Sequence, residues 1–413
     1  MDVGLLSSLR EEFSFIRGNF LILVLSWILM DFADEVPRTY YSLYVLELGG
    51  TESIIGLIGF VSFIALALVQ PPGGYLADRC GRRGLICTMT FGVALSYLLY
   101  ALAPSWHFIL AGALTSSLCL IYQPALMAMV ADSLPPERRG MGYSIIMLIA
   151  SVSTTPAPIL AGCLCLRYGL LWGMRVSYLL AVVVFLAAAT LRLRLKETVE
   201  RVEGIRLREL LRVYPTSLGE IIRVWGLIPR SMLFLLLASL FMIFSSALVQ
   251  PYLVIYAVQD LQISEFDWAL LMTLLSGTML VSALPLGKLI DRVGRKVPLL
   301  IAYGLPIPAV WLFLNGGFVG AALSLSLMGV ATILGNSAYS SLQADLVPRE
   351  KRGKVMGFSN FVGHILTSLG QLVGGVMYER ISHQLPFLLL AVLSVPALLI
   401  TLLMVHEPGE REQ

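Results

Sequence analysis

"GYLADRCGRR" occupies residues 74–83, and "GKLIDRVGRK" occupies residues 287–296. Both read Gly-x-x-x-Asp-Arg-x-Gly-Arg-Arg/Lys, and they start at Gly74 and Gly287, 213 positions apart. A second pair, "ADSLPPERRG" from Ala131 and "ADLVPREKRG" from Ala344, repeats the offset of 213. "APILAG" at 157–162 falls opposite "GQLVGG" at 370–375 at the same offset. Three blocks sharing one offset mark a duplicated unit. Each charged block sits between apolar segments, so the two copies run in the same orientation.

Of 413 residues, 57% are hydrophobic and 13% are charged. A soluble domain is typically about a quarter charged. The mean hydropathy of +0.83 therefore indicates a polytopic membrane protein. A helix needs ~20 apolar residues to cross a bilayer, and lipid offers no partner to exposed backbone polar groups. Twelve such segments are predicted, six between 19 and 191 and six between 231 and 405. All but four of the 29 basic residues, Arg38, Arg167, Arg175 and Arg380, fall at the termini or in loops on their side. Positive charge marks the cytoplasmic face, so both termini and the 192–230 segment are expected there. The predicted organisation is an N-terminal unit at 1–191, a cytoplasmic linker at 192–230 and a C-terminal unit at 231–413. In the linker, Leu207, Leu210, Leu211 and Tyr214 share one helical face among arginines, which suits either an interfacial helix on anionic lipid or a solvated tether. The five cysteines lie in or beside apolar spans and are read as packing residues.

The paired loop between the second and third spans and between the eighth and ninth resembles that of the major facilitator superfamily, and the resemblance covers essentially the whole chain. It implies an all-α membrane protein with two six-helix bundles around a central cavity, built from inverted three-helix repeats. It also implies small-molecule transport by alternating access, with the first, fourth, seventh and tenth spans lining the cavity. Gly74, Gly81, Gly287 and Gly294 would serve tight turns and close helix approach. By resemblance, Asp78 faces the start of the eleventh span and Asp291 the start of the fifth. Arg82 and Arg295 pair with Asp132 and Asp345. Such a network favours one side being closed. The alternative is that these charges only fix topology, which accounts for Arg83 and Arg139 but not for acids recurring at one offset. The proton antiporters of the superfamily carry Gly-Pro-x-x-Gly-Gly on the fifth span. Here it is degenerate, with Ala157, Pro158, Ala161 and Gly162, and its small residues are expected to let spans five and eleven pack closely.

Within the first span, "DFADEVPR" puts Asp31, Asp34, Glu35 and Arg38 at i, i+3, i+4 and i+7, on one face. Counted from Phe20 at ~1.5 Å per residue, Asp31 lies near mid-membrane. Each charge at the bilayer centre costs about 2.5–3.5 kcal/mol on the insertion scale, so this face must look into the protein or into water. Arg38 can satisfy Glu35 or Asp34. The crowded carboxylates that remain are suited to exchange protons. The competing reading is a buried structural ion pair. Pro37 removes a backbone hydrogen bond and is expected to bend the helix beside the acids. The second repeat keeps Pro251 but lacks the acids.

Elsewhere, His364 lies midway along the eleventh span as a second titrating site, a cargo contact or a satisfied buried histidine. Tyr122, Gln123, Gln250, Tyr252, Asn336 and Tyr339 are candidate cavity-lining residues. No phosphate-binding loop of the G-x-x-x-x-G-K-[ST] type occurs, so an ion gradient or the cargo's own gradient would drive transport. The expected function is proton-coupled export of cationic or amphipathic compounds, with small-molecule cargo, protons and membrane lipids as partners and the monomer as the working unit. No nucleic acid, cofactor or metal site is expected, and no enzymatic constellation is found. A nutrient importer, a divalent-metal transporter, and a non-transporting receptor or lipid scramblase remain as alternatives.

Overall fold

The computed structural model describes residues 15–135, 138–199 and 228–407. The linker face at Leu207–Tyr214 lies outside the described residues. In the first repeat the chain forms α1 (Gly18–Arg38), α2 (Tyr41–Glu47), α3 (Glu52–Arg79), α4 (Arg82–Ala101) and α5 (Trp106–Cys119). A 3₁₀ turn at Leu120–Tyr122 leads into α6 (Gln123–Ser133), followed by α7 (Arg139–Thr154), α8 (Ala157–Tyr168) and α9 (Leu170–Arg192). The second repeat contains α10 (Arg230–Val249), α11 (Glu265–Val293), α12 (Lys296–Gly304), α13 (Pro306–Asn315), α14 (Gly317–Leu346), α15 (Arg349–Arg380) and α16 (Leu385–Met404). Beyond α10 the chain stays helical to Asp260 through a 3₁₀ turn containing Pro251 and a π turn at Tyr256–Asp260.

Among the described residues, ten helices are long and apolar enough to cross a membrane. The other two predicted spans are helical but differ in kind. α1 carries Asp31, Asp34 and Glu35 inside its apolar stretch. The 141–166 segment breaks at Thr155–Pro156 into α7 and α8, of 16 and 12 residues. Proline has no N–H to continue the ladder, which accounts for the break. The same physics acts at Pro37: α1 stops one residue later, and α2 restarts at Tyr41.

Helix ends follow local chemistry. Thr51 Oγ1 accepts from the Ile54 N–H at the start of α3, and Ser264 Oγ accepts from the Asp267 N–H at the start of α11. Gly81 and Gly294 adopt φ +86° and +95° between α3 and α4 and between α11 and α12. Only glycine tolerates that region without strain, so both repeats turn here as predicted.

The two repeats meet unevenly. α3 packs along α15, and α8 packs along α11. At Gly56, Gly59 and Gly375 an added Cβ would collide across the α3–α15 seam, with Gln371 at the first two and with Glu52 O at 2.6 Å at the third. Gly162 lies against Ala269, 2.8 Å from where its Cβ would stand. The expected pairing of spans five and eleven is thus corrected: Gly162 of the fifth span serves the eighth, while in the eleventh Gly375 serves the second and Gly370 and Gly374 lie against Ala247 and Leu248 of the seventh.

One hydrophobic core joins Tyr40 and Tyr44 of the first repeat to Tyr252, Trp268 and Tyr378 of the second. A separate core, from Ile228 to Val405, fills only the second repeat. The hydrogen bonds across the seam gather at the end away from the Gly81 and Gly294 turns. Tyr40 Oη donates to Glu265 O (2.5 Å), and Trp268 Nε1 donates to Thr39 O (3.2 Å). Ser53 N donates to Glu379 Oε2 (2.8 Å), so a carboxylate of one repeat sits on the first turn of α3 in the other. The protein is thus closed at one end, and at the other each repeat keeps its ion pairs to itself.

Candidate functional site

A cavity of about 430 Å³ opens beside α1. Its walls come from α1, the start of α2, α4, α5, α6, α9 and the Leu120–Tyr122 turn, all within the first repeat. Asp31, Asp34 and Arg38 line it, as do Tyr122 and Gln123. Aromatic rings supply much of the rest: Trp27, Tyr41, Tyr97, Tyr100, Tyr178 and Phe185. Tyr100 stacks on Tyr178 at 4.9 Å, and Phe185 meets Tyr97 edge-on at 4.9 Å. This packing fixes the rings in place.

The acids are not equivalent. Tyr97 Oη donates to Asp34 Oδ1, so Asp34 is anchored to α4. Glu35 is outside the cavity lining and faces Arg38, with Nη1 to Oε2 at 3.7 Å. The predicted single charged face therefore divides: Asp31 and Asp34 look into the cavity, and Glu35 with Arg38 forms a loose pair at its edge. Relative to Asp31, helical spacing places i+3 about 60° to one side and i+4 about 40° to the other, and that divergence of about 100° is enough to separate Asp34 from Glu35.

His364 does not reach this cavity directly. Gln70 Nε2 donates to Gln123 Oε1 (3.3 Å) and meets His364 Nε2 (3.2 Å). In that arrangement the imidazole nitrogen accepts. Phe63 stacks on His364 at 6.0 Å. A cavity-lining residue of the first repeat is thus joined to α15 of the second through a glutamine that the sequence reading passed over.

Four other predicted positions lie elsewhere. Tyr252 is fully buried at the closed end, stacked on Tyr378 at 5.2 Å and donating to Gln371 O (3.1 Å). Gln250 and Asn336 are exposed and outside the cavity lining. Tyr339 packs against the second-repeat core, where its hydroxyl meets Ser239 and Ser359. The family rule that spans one, four, seven and ten share the lining fails for this cavity, because only residues 27–185 reach it.

At the end bearing the glycine turns, Arg82 pairs with Asp132, and Arg295 Nη1 pairs with Asp345 Oδ2 at 2.7 Å. Asp78 stays within its own repeat, exposed and 4.0 Å from Arg82, and Asp291 is exposed. Among the described residues, neither shows its expected contact across the seam. Gly74 and Gly287 make no close approach either: a Cβ at Gly74 meets only Pro124 at 4.0 Å, and one at Gly287 meets nothing within 4 Å.

Two carboxylates missed in the sequence stand here. Glu197 accepts from the backbone N–H of Arg82 and Arg83, both at 3.0 Å, and from Thr198 at 2.9 Å. Glu407 accepts likewise from Arg295 (2.5 Å) and Lys296. Each caps the helix that follows a glycine turn. Their offset is 210 rather than 213, which hid them from the repeat comparison. Partial burial raises the proton affinity of Glu197, but the backbone donors outweigh it and hold the carboxyl below the usual range. Its stabilising effect is therefore full above the ordinary value of 4.5 and fades as pH falls through the lower native value. Glu197→Gln should lower the melting temperature at pH 7, with the gap to wild type closing in acid. A gap that stays constant down to pH 3 would refute the clamp.

The Major Facilitator Superfamily model matches residues 20–370 and 235–413. The chain is 26% identical over 389 residues to the multidrug resistance protein MdtG of Enterobacter lignolyticus, covering 89% of this chain and 88% of the relative. It is 24% identical over 383 residues to MdtG of Salmonella typhimurium, covering 90% of both. Among solved structures, the nucleoside transporter NupG superposes with a TM-score of 0.73 at 16% identity, covering 94% of this chain and 100% of that one. The human organic anion transporter MFSD10 superposes with a TM-score of 0.69 at 20% identity, covering 93% and 98%. These structures share the fold. Family and relatives make the protein a multi-pass membrane transporter of small molecules and not an enzyme. The chain belongs to the Major Facilitator Superfamily.

Proposed function

We propose that this transporter exports cationic or amphipathic small molecules across the cell membrane in exchange for protons. The observation that carries the reading is the pair of carboxylates, Asp31 and Asp34, inside an aromatic cavity. Ring faces attract organic cations, and a carboxylate that binds either a cation or a proton couples the two. The likeness to multidrug resistance proteins supports drug-like cargo.

In this reading twelve spans form two six-helix bundles, 1–191 and 231–413, joined by 192–230 and working as a monomer with both termini cytoplasmic. The basic-residue distribution supports that orientation. The end closed by Tyr40, Trp268 and Glu379 is then the outer one, and the state described faces the cytoplasm. Arg82–Asp132 and Arg295–Asp345 brace the loops. Asp78, Asp291, Gly74 and Gly287 gain partners across the seam when the cytoplasmic side closes. His364, through Gln70, reports on the cavity to the second bundle.

The test is proton movement in proteoliposomes. Adding a lipophilic cationic dye to protein under a pH gradient should release protons in proportion to dye moved, and collapsing the gradient should abolish accumulation. Accumulation that is indifferent to the pH gradient sinks the coupling, and exclusion of cations in favour of anions sinks the cargo class.

A further inference from the structure

Arg38 is the one cationic side chain in the lining of the α1 cavity. Arg192 is fully buried, donates to Ser26 Oγ (3.0 Å) and Thr90 Oγ1 (2.8 Å), and lies outside that lining. Arg38 is held far less firmly. Its side chain is 58% exposed, and its ion-pair partner among the described residues is Glu35, with Nη1 to Oε2 at 3.7 Å. That separation is beyond hydrogen-bond length, so the guanidinium keeps its N–H donors available.

The two cavity acids differ in the same respect. Asp34 accepts from Tyr97 Oη. Asp31 has no hydrogen bond or ion pair among the described residues. One cavity therefore presents an unpaired carboxylate and a loosely held guanidinium. Seven residues are two helical turns less about 20°, so Asp31 and Arg38 share one face of α1, ~10 Å apart along its axis. The same lining supplies flat apolar walls in Trp27, Tyr97, Tyr100 and Tyr178.

A guanidinium in the lining repels a simple cation. It attracts a carboxylate, and its planar fork can hold one through two parallel hydrogen bonds. A cargo that bears both charges satisfies both ends of the site. Its cationic end meets Asp31, its anionic end meets Arg38, and its aromatic body lies on the rings. A volume of about 430 Å³ is enough for a molecule of that kind.

We propose that Arg38 is a specificity-determining residue and that the preferred cargo is a zwitterion, an aromatic compound with an amine-type cation and a carboxylate at opposite ends. The proposal rests on the reading of Asp31 as the site for the cargo's cation, and it narrows amphipathic cargo to amphoteric cargo.

The test is equilibrium dialysis of the full-length protein in detergent at pH 7 with tetramethylrhodamine, a zwitterion, and with its methyl ester, a cation on the same ring system. Wild type should bind the zwitterion about 5- to 30-fold more tightly, the effect of one charge-assisted pair at a half-exposed site. Arg38→Gln should remove the preference by weakening the zwitterion alone, and Arg38→Lys should keep part of it. Glu35→Gln, which releases the guanidinium from its loose partner, should widen the preference. Asp31→Asn should weaken both dyes, since both carry the cation. Equal binding of the two dyes by wild type, equal loss of both in Arg38→Gln, or a preference that survives Arg38→Gln overturns the proposal. Uptake into proteoliposomes under a pH gradient separates this proposal from the reading beneath it. If the ester accumulates with no advantage for the zwitterion, proton coupling stands and the zwitterion proposal falls. If the preference holds in dialysis but neither dye moves with the gradient, the assignment of Arg38 stands and the proton-coupled reading falls.

Discussion

Asp34→Asn should cut transport of a lipophilic cationic dye by about 10- to 100-fold, the loss expected when a hydrogen-bonded charge worth about 1.5–3 kcal/mol is removed. Asparagine is nearly isosteric and still accepts from Tyr97, so the bundle should keep its melting temperature. On the proposed proton exchange, Asp31→Asn should abolish accumulation against a gradient while leaving downhill dye movement, since the aromatic walls stay intact. Glu35→Gln should change transport less than about fivefold, since Glu35 lies off the cavity in a loose pair whose worth is at most about 1 kcal/mol. The ranking is the point. Equal damage from all three variants would mean that the first-helix acids act as one structural cluster, and wild-type accumulation by Asp34→Asn would remove it from the site.

Gly375→Val should hold the transporter open at the end that is closed here. A Cβ at position 375 would stand 2.6 Å from Glu52 O and 2.7 Å from the Tyr252 hydroxyl. One neighbour is backbone, and Tyr252 is fully buried, so neither gives way cheaply. Overpacking of this kind costs about 1–3 kcal/mol, which shifts a two-state equilibrium by roughly 5- to 150-fold. The collision exists only in the closed-end state, so the open state gains by the difference. A cysteine placed at Ser53, whose N–H meets Glu379 across the seam, reports the change. Its labelling by a membrane-impermeant maleimide should rise in Gly375→Ala, whose methyl already meets both neighbours, and rise further in the bulkier Gly375→Val. Unchanged labelling with a lowered melting temperature would show ordinary destabilisation instead.

Much of the scaffold was legible in the sequence because hydropathy, turns and repeats are local or periodic signals. Gly81 and Gly294 were readable as turns, since a positive φ asks for glycine whatever surrounds it. The Arg82–Asp132 and Arg295–Asp345 pairs were readable through family resemblance, because each motif recurs at one offset. Asp31 and Asp34 stood out because charge inside an apolar helix is costly anywhere in a membrane. Tyr97 and Gln70 did not stand out, being ordinary residues for a span until a neighbour gives them a partner. Arg192 was read as one more positive charge at a cytoplasmic helix end. Its burial comes from contact with Ser26, 166 positions away, which no spacing rule announces.

The sequence by itself determined that the chain spans a membrane as a duplicated helical unit and that its unusual charges sit in the first span. Only the tertiary structure decided which helices meet at the seam, which end is closed, and which acids face the cavity. Helix formation and membrane insertion follow from each segment's own hydrogen bonding and hydrophobicity. The facing of one helix to another depends on close fit between distant segments, as where Gly56 and Gly59 meet Gln371, and that fit changes between the states of a transporter.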